Sequence, residues 1–449
     1  MLLRPPSGRR RLLEEFDIVG IGAGPANLSL VVALLDARDM GEAVPRAVFL
    51  EREAQFGWHP GAMLPGSRVQ VPFTKDLATQ RNPRSRYTFL SYLHEHGRLE
   101  DFINLREMFP EREEFAQYMA WIAAEAGGLV RWGREATELF PLVSKAERVE
   151  RIGVTYGKGD RPHMVSARCL VLGIGSRPSV PVCVADAVGG RIVHTSQLRS
   201  RVQSGTWRVS EALEFLVVGA GQSGVEAACF LLSEFAQAKV EICLRRHAPS
   251  SIDDNPFVNQ WYGSRCVDEF HALDDEARAR VTADLSHSNL GVAERGLLDE
   301  LYRHRYRSLR NGAPRVSFSC GHALSHAATD GEHVTCMVRN LVTDAEIRKQ
   351  VDGLVLATGY DDAEPALLRP LDPWLVRDSA GACLPRADYR LQTQGPIDAA
   401  VFLHGTRADR HGPAERSLST RAVRAGVLLN SLRNALGEAL PLESQYLLT

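Results

Sequence analysis

The chain reads as an α/β protein made of two Rossmann-like dinucleotide-binding domains with a small, mostly helical substrate-binding region. Two observations carry that reading. The first is a glycine-rich turn used twice, at Phe16-Asp17-Ile18-Val19-Gly20-Ile21-Gly22-Ala23-Gly24-Pro25-Ala26-Asn27-Leu28 and at Phe215-Leu216-Val217-Val218-Gly219-Ala220-Gly221-Gln222-Ser223-Gly224-Val225-Glu226. In each, an apolar run suited to a buried parallel strand meets a tight turn and then a helix-forming run, so that phosphates can sit on the free N–H groups and positive dipole of a helix start. The second is length: 449 residues exceed what one hydrophobic core usually supports, so two or three domains are expected.

In chain order, Gly20, Gly22 and Gly24 make the first turn, and Pro25 is compatible with a first helical turn because its missing N–H would be unpaired there anyway. Asn27, expected to contact the cofactor at the turn, opens a helix predicted to run to Leu35. The run Ala47-Val48-Phe49-Leu50 predicts the next strand, and Glu51 at its tip is the acid expected to accept from the ribose hydroxyls of the first dinucleotide. Phe115, Met119 and Ile122 recur at helical spacing within Glu111 to Ala124. Leu170 to Pro178 looks like the strand and turn where the first domain hands over to the second, with a linker near Ser196 to Ser210.

In the second turn Gly219 permits the bend, Gly221 lets the backbone approach a pyrophosphate, and Gly224 lets the helix pack against the strand. Gln222 and Ser223 lie in the same turn, towards the pyrophosphate or nicotinamide. The next strand, Val240 to Leu244, ends in Arg245-Arg246 where an NAD enzyme more often carries an acid, so Arg245, with Arg246 assisting, predicts recognition of a 2′-phosphate and hence NADPH. Helices are expected from Asp274 to Leu285 and from Ala293 to Tyr306, and a buried strand from Gly353 closes the second domain. The resulting division is a tail over 1–14, a discontinuous FAD-binding domain over 15–200 and 350–449, and an NADPH-binding domain over 205–345 that contains the helical region near 253–310.

Composition narrows the function. Hydrophobic residues at 44% and charged residues at 24% are those of a globular protein, and a formal net charge of −2 gives no reason to expect nucleic acid or an anionic membrane as partner. The eight cysteines include no Cys-x-x-Cys, which argues for a reducing, cytoplasmic setting and against a zinc site or a dithiol enzyme; no metal is expected. The first fourteen residues lack the apolar core of a signal peptide, and no apolar run is long enough to span a bilayer.

Further motifs make the reading specific: Phe56-Gly57-Trp58-His59, Lys75-Asp76-Leu77-Ala78-Thr79 followed by Pro83-Arg84-Ser85 and Tyr87-Thr88-Phe89-Leu90, Asp254-Asn255-Pro256-Phe257-Val258-Asn259, and Ala357-Thr358-Gly359-Tyr360. With the first turn, these resemble the flavin-dependent N-hydroxylating monooxygenases, which include the ornithine and lysine N-monooxygenases of siderophore biosynthesis. The resemblance spans about Phe16 to Gly426. It implies FAD and NADPH as cofactors, oxygen delivered from dioxygen through a C4a-hydroperoxyflavin to the side-chain amine of L-ornithine, and a homo-oligomer, tetramer or dimer. L-lysine, putrescine and cadaverine stay open as substrates. A carbonyl- or sulfur-oxygenating relative is the more distant alternative.

The same resemblance implies roles. Lys75 would hold the substrate α-carboxylate, a role preferred to the alternative of a surface cation paired with Asp76 or Asp101. Asn259 would contact the substrate, Asn289 would lie between substrate and nicotinamide, and Ser419 would help hold the carboxylate. Gln70 would face the reacting flavin ring, with Trp58 packing near it and His59 beside it; Thr358, Gly359 and Tyr360 would also border the cofactors. Glu415 and Arg416 stand where the family is less charged, and Leu290 where ornithine enzymes often carry an aromatic, which bears on which amine is used.

Overall fold

The computed structural model describes residues 13–157, 162–208, 211–288, 291–362 and 364–438. The first lobe opens with β1 (Glu14–Ile21), β2 (Ala47–Leu50), β3 (Val130–Arg131), β4 (Ala136–Val143), β5 (Val149–Tyr156) and β6 (His163–Leu172). Beyond the short strand β7 (Arg177–Pro178) the chain enters a second lobe through β8 (Ile192–His194), β9 (Glu214–Val218), β10 (Lys239–Leu244) and β11 (Val316–Cys320). That lobe continues with β12 (His322–Thr329), β13 (Val334–Asn340), β14 (Glu346–Val351) and β15 (Gly353–Leu356). The chain returns through β16 (Tyr360–Asp361), antiparallel to β7, and adds β17 (Ala400–Leu403) to the first sheet.

The first sheet has the order β3-β2-β1-β6-β5-β4, with β17 also on β6. At ten residues β6 is long enough for two neighbours along one side: antiparallel β5 pairs as far as Ala167, and parallel β17 takes Cys169 to Leu172. The second sheet, β11-β10-β9-β15-β8, is parallel throughout, and β12-β13-β14 form an antiparallel sheet beside it. The mixed first sheet and the parallel second sheet are each covered on two faces, which is why their parallel strands read as unbroken apolar runs such as Phe-Leu-Val-Val in β9.

The helix after the first turn spans Pro25–Asp39 and is buried from Ala26 to Ala37, sandwiched between the sheet and the C-terminal helix Arg421–Leu436. Its near-uniform apolar character comes from having no solvent face. The predicted helices appear as Arg112–Glu125, Asp275–Asp284 and Arg295–Arg310, and Asp274 caps the second by accepting from Ala277 N at 2.7 Å.

The domain limits differ from the sequence reading. Strand β8 falls within 15–200 and β15 within 350–449, yet both pair into the second sheet, so the crossings lie at the β7–β16 pair, near 177 and 360. At three and four residues these strands offer no period to read.

The lobes are joined by more than these crossings. Leu64 of the first lobe packs into the second lobe's core, Arg199 Nη1 donates to the Met63 carbonyl at 2.6 Å, and a side chain on Gly61 would run into the Ser196 carbonyl. A mostly buried ion pair, Arg112 Nη2 to Glu226 Oε1 at 2.8 Å, ties the helix Arg112–Glu125 to the helix of the second glycine turn, Gln222–Glu234. Removing only the acid strands a buried guanidinium: Glu226→Ala is expected to cost about 3 kcal/mol in urea unfolding, and the double variant Arg112→Met/Glu226→Met less than that.

Candidate active site

The first glycine turn is shaped from behind. Gly22 has φ +86°, and a side chain there would come within 2.6 Å of the Gly173 carbonyl, so only glycine fits. Asn27 is fully buried and donates from Nδ2 to the carbonyls of Ile21 and Gly22 at 3.1 and 2.7 Å, while its Oδ1 faces His404 Nδ1 at 3.2 Å. Its amide therefore braces the turn from the protein side, a correction to the expectation that it contacts the cofactor itself. Glu51, just past β2, accepts from Ala23 N at 2.7 Å and so stands across the mouth of the turn. Among the described residues nothing lies within 4 Å of where a Gly24 side chain would project, and the helix start after Gly24 has no side-chain cap. An open, positively polarised helix end beside an acid at a strand tip fits an adenine dinucleotide.

The second turn repeats the backbone but is partly covered. Gly219 has φ +110°, and side chains on Gly219 or Gly224 would strike the carbonyls of Ala357 and Gly219, as helix and strand in close contact require. The face of Gly221 meets Gly291, 3.2 Å from where its Cβ would be, and Gln222 N donates to the Val292 carbonyl at 2.8 Å. The Gln222 side chain accepts from Glu294 N and donates to Glu226, each at 2.9 Å. Its amide thus joins the turn to the 291–294 segment and the interlobe ion pair instead of lying free for a pyrophosphate as expected. Ser223 is exposed at the helix start, and Arg245 is exposed at the end of β10, the strand tip where a 2′-phosphate would be met.

A group of rings forms where the first lobe, β8 and the crossing strand β16 meet. His59 is held at φ 48° and caps the short turn Pro60–Ala62; its ring is 5.9 Å from both Trp58 and Tyr360, and Trp58 packs on Phe115 at 6.1 Å. His59 keeps solvent access yet is crowded by protein, and that crowding first, with the Arg112 guanidinium second, holds its imidazole below the usual histidine range. His194 meets Tyr360 edge-on at 5.2 Å. Because a carbonyl can only accept, His194 Nε2 donates to Gly359 O at 3.0 Å, leaving Nδ1 to accept from Ser196 N at 3.1 Å. Burial pushes this imidazole down as well, against the carbonyl bond that favours its charge. Thr358 donates its hydroxyl to the Ser179 carbonyl and Gly359 turns at φ +80°, so the Thr358-Gly359-Tyr360 segment is pinned to the crossing strands.

Lys75 is placed by its neighbour. Asp76 is buried and accepts from Ala78 N at 2.9 Å, from Thr79 Oγ1 at 2.7 Å and from Phe89 N at 2.8 Å, so it organises the loop from within and does not pair with Lys75. The loop is bolted to the first-turn helix, where Asp36 accepts from Ser85 Oγ at 2.8 Å and pairs with Arg81. Lys75 Nζ then reaches Ser419 Oγ at 3.3 Å, across 344 positions of sequence. Half-burial lowers its pKa from the ordinary lysine value of 10.5. Ser419 Oγ also accepts from Ser417 Oγ at 2.8 Å, so its own O–H remains to be donated. A half-buried ammonium beside a free hydroxyl is a receptor for a carboxylate.

The remaining predicted residues are less convergent. Gln70 is exposed next to buried Val69. Asn259 sits on the exposed short helix Pro256–Gln260 with its amide donating to the Asp254 carbonyl at 2.7 Å. Asn289 and Leu290 lie outside the described residues. Glu415 is buried against Arg424 at 2.9 Å, and Arg416 pairs with Asp362 at 2.8 Å, so these two departures serve the C-terminal segment's own packing. Sequence reasoning missed Arg112, Glu226 and His194: Arg112 meets Glu226 across 114 positions and His194 reaches the Gly359 carbonyl across 165, so no local pattern marks these contacts.

Residues 14–362 match the family described as L-lysine 6-monooxygenase/L-ornithine 5-monooxygenase. The chain is 30% identical over 419 residues to an L-ornithine N(5)-monooxygenase of Pseudomonas aeruginosa, covering 93% of each chain. Among solved structures it is similar to an ornithine N-hydroxylase of Kutzneria sp. 744 described with reduced FAD, NADP+ and L-ornithine, at 31% identity and a TM-score of 0.87 over 94% of this chain and 99% of that one. It is also similar to an L-lysine 6-monooxygenase of Pseudomonas syringae, at 28% identity and a TM-score of 0.83 over 94% of this chain and 100% of that one. The match covers most of the sequence and both lobes, and the chain belongs to the L-lysine 6-monooxygenase/L-ornithine 5-monooxygenase family.

Proposed function

We propose that this protein hydroxylates the side-chain amine of L-ornithine, using FAD on the first lobe, NADPH on the second and dioxygen as the oxygen source, for siderophore or related natural-product synthesis. The observation that carries the choice of an amino acid is the meeting of Lys75 Nζ with Ser419 Oγ, which leaves N–H and O–H donors for one α-carboxylate. The relatives named for L-ornithine, and the Kutzneria structure described with all three ligands, support the amine and both cofactors.

Bound flavin, once reduced by the nicotinamide, supplies the activation of dioxygen. The chain's own part is position and dryness. Lys75 and Ser419 hold the carboxylate end, fixing how far the amine reaches. Trp58, His59, Tyr360 and His194 pack ring against ring where the two lobes meet, and both imidazoles are held towards their neutral forms. A neutral wall adds no cation to compete for the substrate carboxylate. Gln70 and Asn259, with Asn289, are assigned to the flavin and substrate sides on the family resemblance.

The setting is cytoplasmic, supported by eight free cysteines, and among the described residues no helix is long and apolar enough to cross a membrane. Self-association is supported by Tyr302, Tyr306 and Leu309, exposed at helical spacing along Arg295–Arg310.

NADPH-dependent hydroxylamine formation measured across L-ornithine, L-lysine, putrescine and cadaverine tests the whole reading, and the carboxylate-bearing L-ornithine is expected to have the highest kcat/KM. Lys75→Met should raise the KM for L-ornithine by roughly 10-fold or more, the scale of a charge-assisted hydrogen bond, while the rate of flavin reduction by NADPH stays within about twofold. Arg245→Ala should raise the KM for NADPH by about 10-fold and leave that for NADH unchanged.

The pH dependence has two limbs. The reacting amine must lose its proton, which favours alkaline pH, its reference pKa being about 10.4. Lys75 must keep its proton, and its pKa lies below the ordinary 10.5, so carboxylate binding weakens before an exposed lysine would titrate. The KM for L-ornithine is therefore expected to rise on the alkaline side in wild type and to be flat there in Lys75→Met.

A further inference from the structure

Buried polar groups in folded proteins have partners, and an exception asks for an explanation. Four atoms without one lie on two stretches that touch: His404 Nε2 and Thr406 Oγ1 on the loop after β17, and Arg421 Nε and Nη1 at the first residue of the C-terminal helix. The stretches meet at Gly405, φ +95°, whose Cβ would stand 2.5 Å from Arg421 Nη1, so the guanidinium occupies the space a side chain there would need. All three side-chain-bearing residues are buried, Arg421 being 9% exposed.

Among the described residues no nearby acid forms an ion pair with Arg421, although Glu415 and Asp362 act on it at longer range. Glu415 is the ion-pair partner of Arg424, and Asp362 accepts from Arg416 Nε at 2.8 Å and from Ser176 Oγ at 2.6 Å. Arg424 adds a like charge, and burial together with that charge pulls the Arg421 pKa down to about 9, which still leaves it cationic at neutral pH. An uncompensated buried cation destabilises a fold unless an anion arrives to meet it.

The position of the cluster says which anion. His404 Nδ1 faces Oδ1 of Asn27, whose Nδ2 is committed to the carbonyls of Ile21 and Gly22 in the first glycine turn. Since Oδ1 can only accept, His404 Nδ1 carries the proton, and in the neutral ring Nε2 is then an acceptor. The cradle thus presents a cationic donor, a rotatable hydroxyl and one acceptor, immediately behind the turn assigned to FAD. We propose that Arg421, with Thr406 and His404, binds an oxygen of FAD that carries negative charge beside a hydrogen-bond donor, and that Arg421 is an anchor of this cofactor. Two parts of FAD have that chemistry: the diphosphate beside the ribityl hydroxyls, and the pyrimidine edge of the flavin, where an oxygen that gains charge on reduction flanks an N–H. The inference rests on the proposed occupation of the first lobe by FAD.

The test is reconstitution of FAD-free full-length protein with FAD, comparing wild type with Arg421→Met and Arg421→Lys. Arg421→Met is expected to raise the FAD dissociation constant by 10-fold or more, and Arg421→Lys to recover most of the loss. Without FAD, Arg421→Met should unfold at a temperature equal to or above wild type, because a stranded charge has gone, whereas with FAD it should be stabilised less than wild type; a merely structural arginine would destabilise the FAD-free form. A contact at the pyrimidine edge also lowers the midpoint potential of the bound flavin in Arg421→Met; a contact at the diphosphate leaves it unchanged. An Arg421→Met protein whose FAD affinity and potential both match wild type, or whose FAD-free form is the less stable one, overturns the proposal. Thr406→Val reads the same cradle without touching the charge: weaker FAD binding is expected, and unchanged binding counts against it. Wild-type protein that takes up no FAD would instead defeat the proposed function.

Discussion

The parallel pairing of β17 with the last four residues of β6 is the constraint on which the rest of the site depends. The strand arrives after the whole second lobe has been inserted, and its register sets three placements downstream. His404 is carried to Asn27 behind the first turn, the 413–420 segment is brought over the Lys75 loop, and the C-terminal helix is laid on the helix Pro25–Asp39. Because side chains in a strand alternate faces, a slip of one residue would move His404 to the opposite face of the sheet and Ser419 away from Lys75 together. The two halves of the first lobe thus converge on one pairing, and the Lys75–Ser419 contact exists only when it is made.

How much of this is legible in the sequence depends on how far each residue's partners lie along the chain. The glycine turns are local: Gly22 and Gly219 each need a positive φ and a close carbonyl, and the strand and helix that frame them are adjacent in sequence. Glu51 is legible for the same reason. Lys75 and Ser419 can be named from motifs, but their contact spans 344 positions and nothing in either segment refers to the other. Asn27 and Gln222 read as cofactor contacts because of where they sit in the turns, yet their amides are committed to backbone and to Glu226. A sequence shows that an amide is near a turn but not which way it points. The domain limits fail where β8 and β15, too short to carry a period, join a sheet otherwise built from residues 214–320.

The interlobe contacts fix the two lobes against each other. Arg112, Glu226 and Gln222 form one connected group whose last member also holds Glu294 N, so the first lobe, the second glycine turn and the 291–294 segment share one network. Gly61 and Leu64 add close packing on the same side. Moving either lobe would break an ion pair that is largely out of water, a large cost relative to the stability of most domains. The ring wall made by Trp58, His59, Tyr360 and His194 is built from both lobes and the crossing strand, and it keeps its shape only while those contacts hold.

The charges show why a site with no protein nucleophile can still be demanding to build. Among the described residues no carboxylate pairs with Lys75 or with Arg421, although each is taken out of full solvent contact and each shows the lowered pKa that burial brings. Among the described residues several buried cations have acids, Arg424 with Glu415, Arg81 with Asp36 and Arg112 with Glu226, and Arg315 is met by three backbone carbonyls. Lys75, in the loop of the Lys-Asp-Leu-Ala-Thr motif, and Arg421, behind the first glycine turn, have neither arrangement. A fold that leaves a cation unpaired out of water loses stability, and it recovers that loss when an anionic ligand binds. An amino acid carboxylate at Lys75 and a charged oxygen of FAD at Arg421 are the two anions the proposed reaction brings. Both cations then act as binding energy held in reserve, and the rings where the lobes meet carry imidazoles held towards neutrality.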